Sequence, residues 1–120
     1  VGRFTGSRTN ITAEVLRKAE ACEEGVAWYA ARPAVHDAEW PVVCAALEDD
    51  GQEKWSWWVR LTVARYGSAE DRAALRNDPN AWVRGAVAIH GSAEDRAALR
   101  GDPDSLVSWA VKFYGRNDPK

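Results

Sequence analysis

Three stretches of the chain carry one pattern of apolar and polar positions. Val59, Thr62, Val63 and Tyr66 fall at i, i+3, i+4 and i+7, as do Val83, Ala86, Val87 and His90. Val107, Ala110, Val111 and Tyr114 form a third set with the same spacing. Each set lies along one face of an α-helix. So narrow a stripe is buried only when helices stack against one another.

The segments between the stripes predict shorter helices. The string GSAEDRAALR stands at 67–76 and again, unchanged, at 91–100. Ser68 with Asp71, and Ser92 with Asp95, have the S-x-x-D spacing of a capping box. Short helices should therefore run to about Arg76 and Arg100, with Leu75 and Leu99 as their main apolar anchors. Asp78-Pro79 and Asp102-Pro103 suit the N-cap and first position of the next helix. Gly67, Gly91 and Gly115 stand where a helix stops.

The unit repeats every 24 residues: residues 58–81 and 82–105 are identical at 17 of 24 positions. A third copy begins at Leu106 and keeps Val107, Ala110, Val111 and Gly115. Upstream, VVCAALEDD is a looser version of the short helix, with about one extra helical turn before Trp58. ITAEVLRKAEACEEGVAWYAARP predicts one further pair, closed by Pro33. The expected fold is all-α: a right-handed α-solenoid of about four stacked helix pairs, at about 11–32, 38–66, 69–90 and 93–114. The whole chain, 1–120, is expected to form a single domain, with flexible ends at 1–10 and 116–120.

Composition narrows the function. A formal charge of −2 at pH 7 gives no basic footprint for nucleic acid. No apolar run approaches the ~20 residues of a membrane span, and the N-terminal segment lacks the apolar core of a secretory signal. Two cysteines, Cys22 and Cys44, do not make a disulfide framework and read as small buried hydrophobes, so a reduced, cytoplasmic protein is expected.

The 24-residue period with DP…VR…VA…G and AALR-x-DP resembles the leucine-rich repeat variant family and, more broadly, HEAT-like repeats, over about 55–115. The resemblance implies an α-solenoid that binds other molecules. One branch of that family carries a cysteine-ligated iron–sulfur cluster, for which two cysteines are too few. ACEEGVAWYAARP together with EKWSWWVR resembles a module of uncharacterised bacterial and phage proteins, which implies a prokaryotic or phage setting. Arg60 and Arg84 share one repeat position. They read either as a basic ladder for phosphates or, preferably, as internal partners of repeated aspartates such as Asp78.

No phosphate loop, metal-ligand spacing or nucleophile motif is present, so no catalytic residue, metal or cofactor is expected. His90 reads as packed in the core. His36 next to Asp37, itself a candidate helix N-cap, lacks a nucleophile. Arg72, Arg76, Arg96 and Arg100 alternate with Glu70, Asp71, Glu94 and Asp95 and read as a solvated, salt-bridged helix surface. The second face of the long helices varies between repeats, and there partners are expected: Trp57, Arg60, Leu61, Arg84, Gly85, Trp109 and Lys112. Gly85 would be the floor of a groove between Trp57 and Trp109, or else a notch that Trp109 fills. The leading expectation is a non-catalytic module binding another protein or peptide, such as a small inhibitor or immunity-type protein. The alternatives are nucleic-acid binding through Arg60, Arg84, Lys112 and tryptophans, and a small-molecule or enzymatic site in a tryptophan-walled groove.

Overall fold

In the computed structural model, which describes residues 8–119, capping side chains set where six of the eight described helices begin. The chain order is α1 (Ala13–Lys18), α2 (Glu23–Ala30), a 3-10 turn at Pro33–Val35, α3 (Trp40–Asp49), α4 (Glu53–Tyr66), α5 (Ala69–Leu75), α6 (Ala81–His90), α7 (Ala93–Ala98) and α8 (Ser105–Tyr114). The all-helical expectation holds: among the described residues there is no strand, and a lone antiparallel bridge joins Asn10 and Glu39. Ser68 and Ser92 make full capping boxes with Asp71 and Asp95. The long helices begin later than the Asp-Pro reading implies. Their N-caps are Asn80 and Asp104, while Asp78 and Asp102 accept from the backbone N–H two residues on, at 2.9 Å in both turns.

Packing runs from α3 to α4, then α6, then α8. The repeated stripe is what these contacts bury: Val59, Val63, Val83, Val87, Val107 and Ala110 are all in the core. Leu75 and Leu99 anchor the short helices there. α4 has 14 residues against 10 in α6 and α8, which accounts for the extra turn before Trp58. The last stripe position departs from expectation. Tyr66, His90 and Tyr114 are exposed, because the final turn of each long helix runs past the core. His90 still titrates below the ordinary histidine range, through partial desolvation and the charges of Arg65 and Arg72.

Gly67 and Gly91 follow their helices with φ near −85°, so they are not left-handed caps. Close approach explains them instead. A Cβ on Gly91 would stand 2.4 Å from both the Val87 carbonyl and an Asp95 oxygen; on Gly67 the same clashes measure 2.5 and 2.8 Å. Glycine lets the backbone lie directly against the buried aspartate of the next capping box.

Those aspartates correct the picture of a solvated charged surface. Asp71 is 0% and Asp95 2% exposed. Arg76 Nε donates to Asp95 at 2.8 Å, and Arg96 grips Asp118 through Nε and a terminal nitrogen at 2.6 and 2.9 Å. Asp71 has a different set of partners. It accepts from the Trp40 indole at 2.9 Å, from the Thr9 hydroxyl, and from the Thr9 and Ser68 N–H groups at 3.1 Å. Burial pushes its carboxyl up, but these hydrogen bonds outweigh burial and hold it below the usual carboxylate range. Thr9 and Asp118 thus tie in both segments expected to be flexible; residues 1–7 and 120 lie outside the described residues.

Candidate functional site

The arginine pair at the repeat position is engaged internally. Arg60 Nε donates to Asp78 at 2.5 Å, and Arg84 reaches both carboxylate oxygens of Asp102 at 2.8 and 3.2 Å. Each arginine meets the aspartate 18 residues ahead, so Arg84 pairs with Asp102 and leaves the Asp78 carboxylate, six residues behind it, to Arg60. The tie to Asp78 from Arg84 goes instead to its backbone carbonyl, at 2.8 Å. The Arg84 hydrogen bonds outweigh burial and hold the Asp102 carboxyl below its ordinary range. Ser108 takes the third position, and the ladder ends there.

Gly85 is buried, and a Cβ added to it would rest 3.8 Å from Leu106 of α8. It is a packing position under the next long helix and not the open floor of a groove. Leu61 is half-buried against the core, and Lys112 is exposed. The two tryptophans expected to wall one groove line separate features. Trp57 belongs to a cavity among α1, α2, α3 and α4, and Trp109 to an exposed aromatic surface on α8.

The α8 surface follows from the repeat. Trp109 occupies the position of Gly85, and Phe113 that of Ile89. Gly85 is covered by Leu106 of the following helix; Trp109 is 52% exposed. Its indole stacks on Phe113 with ring centres 5.1 Å apart, and Tyr114 meets both rings edge-on. Leu106 adds an exposed aliphatic edge, and Trp82 is exposed one repeat earlier in the equivalent position. The rim is basic: the Arg116 guanidinium lies 4.5 Å from the Phe113 ring centre, and Lys112 is exposed on the same helix.

At the other end of the molecule, Trp28, Trp55, Trp57 and Trp58 wall a cavity of about 350 Å³ over Val43 and Leu47. Trp28 is fixed from outside: its indole donates to Asp50 at 2.8 Å, and the Arg32 guanidinium lies 4.5 Å from its ring centre. The Tyr29 hydroxyl donates to the Ile11 carbonyl at 2.8 Å and accepts from the Asp37 N–H at 3.0 Å. Cys22 stands at the cavity as the N-cap of α2 and is exposed, contrary to the buried role expected of it. Cys44 is buried, and desolvation raises its pKa. His36 is exposed, with its ring stacked on Tyr29; Asp37 caps no helix, since Glu39 precedes α3. The cavity was not legible in the sequence because four separate helices build it. The run WSWW was the one available signal.

No family model, curated protein or solved structure matches the chain. Among the described residues, no group of histidine, cysteine, aspartate or glutamate could hold a metal ion, and no helix is long and apolar enough to cross a membrane.

Proposed function

We propose that the chain is a non-catalytic protein-binding module, a HEAT-like stack of about four helix pairs that receives its partner on α8. The observation that carries this reading is the exposed cluster of Leu106, Trp109, Phe113 and Tyr114. Aromatic residues dominate binding hot spots, and contiguous exposed apolar surface of this kind marks interaction sites. In the preceding repeat the Trp109 position is covered by the next long helix. The partner fits that place by presenting an apolar helix face. An acidic rim on the partner complements Lys112 and Arg116.

This reading keeps Trp109 and Lys112 from the expected surface and gives up Arg60, Arg84 and Gly85, which serve the fold. It also disfavours nucleic acid, since both repeat arginines already hold carboxylates. The test is affinity selection with the wild-type chain, followed by titration of the recovered partner against a Trp109→Ala/Phe113→Ala double variant. Loss of two hot-spot aromatics should weaken binding by about a hundredfold or more. Equal affinity for both chains would remove α8 from the interface.

A further inference from the structure

We propose that the tryptophan-walled cavity is a second binding site, for a small neutral aromatic ligand of one or two fused rings. It is independent of the α8 surface. The volume of about 350 Å³ lies in the range of small-molecule sites. Filled to the density of a protein interior, it holds about 20 non-hydrogen atoms, so a ligand of one or two fused rings enters without strain. Its walls select flat rings, because aromatic groups gain from offset and edge-on contacts with the indoles of Trp28, Trp55, Trp57 and Trp58.

The polar groups argue for a neutral ligand. The Trp28 N–H and the Tyr29 hydroxyl are already satisfied by protein partners. The charged residues lining the cavity are Glu20 and Lys54, one of each sign and both exposed, so the rim has no net charge for an ionic head group. Gly25 supports an open site. A Cβ there would meet the Cys22 sulfur at 3.5 Å, an ordinary contact, and no backbone strain demands glycine. A helix position that could hold a larger residue instead leaves the cavity wall low.

The experiment follows the indole N–H signals of the seven tryptophans by NMR while 2-naphthol is added to the full chain, with decanoate titrated in parallel. The signals of Trp28, Trp55, Trp57 and Trp58 should move together, and those of Trp82 and Trp109 should stay. Bound 2-naphthol should slow maleimide modification of Cys22. Gly25→Leu fills the cavity and should weaken binding about tenfold or more, with helix content retained. Trp57→Ala, which removes one wall, gives the same test should Gly25→Leu fail to fold. Trp109→Ala should leave the 2-naphthol affinity unchanged, which separates this site from the α8 reading. Absence of movement in the four signals up to about 1 mM ligand, the weak end of specific affinity, overturns the site. Equal binding by Gly25→Leu does the same. Tighter binding of decanoate overturns the ligand class.

Discussion

Asp71 and Asp95 occupy the same letter of an identical ten-residue string, yet truncating them should have unequal effects. Asp71→Ala leaves the Trp40 indole N–H, the Thr9 N–H and hydroxyl, and the Ser68 N–H without their acceptor. Trp40 is itself buried, so water does not readily replace the carboxylate. A buried group left unsatisfied costs about 1–3 kcal/mol, and loss of a helix cap about 0.5–2 kcal/mol. Allowing for partial relaxation, Asp71→Ala should destabilise the protein by about 3–5 kcal/mol. Asp95→Ala removes the equivalent cap, but the other partner is Arg76, whose side chain is 29% exposed and turns to water. Asp95 is buried but Arg76 is left with access to water, so the lost pair adds only about 0–1 kcal/mol to the lost cap, and the total should be about 1–2 kcal/mol. Urea denaturation followed by circular dichroism at neutral pH reads the difference. In a domain this size each kcal/mol shifts Tm by about 3–5 °C, so thermal melts should separate the variants by about 6 °C or more. Equal losses would refute the claim that Asp71 joins the N-terminal helices to the repeats.

Gly85→Ala should be tolerated or add up to about 1 kcal/mol of stability, because its Cβ has room beneath Leu106. Gly91→Ala should destabilise by about 2 kcal/mol or more, because its Cβ would collide with the Val87 carbonyl; paired melts check both. A maleimide at neutral pH should label Cys22 and spare Cys44 in the native state, with mass spectrometry of the digested chain as the readout. Asp71, Asp102 and Asp118 have carboxyl groups held below their ordinary pKa, so the unfolded chain binds their protons first as pH falls. Their stabilisation is present above about pH 4 and is lost as pH drops through the folded values, so urea midpoints should fall gently below about pH 6.5, where the unfolded chain protonates His90 first, and steeply below about pH 4.

Local codes in the sequence carried the helices well. Stripe spacing and capping boxes are short-range signals, and they placed α5 to α8 within a few residues. Tertiary contacts were harder to read. Asp71 and Asp95 look identical in sequence, but one faces Trp40 and the other Arg76, because the unit before each is different. Gly67 and Gly91 were recognisable as helix stops, while their steric reason lies in an aspartate that is buried only after the next helix docks. Trp57 and Trp109 share a helical face by periodicity, and the expected groove between them assumed that Gly85 stayed open. Leu106 covers it. The cavity draws residues from four helices of the least regular half of the chain, where no repeat register could be counted.

The most direct test of binding at α8 is hydrogen–deuterium exchange of the chain with and without its recovered partner. Partner binding should add protection across 105–114 and leave the first turns of α4, at 53–58, unchanged. Added protection at 53–61 with α8 unaltered would contradict the assignment and move the partner to the tryptophan-walled end.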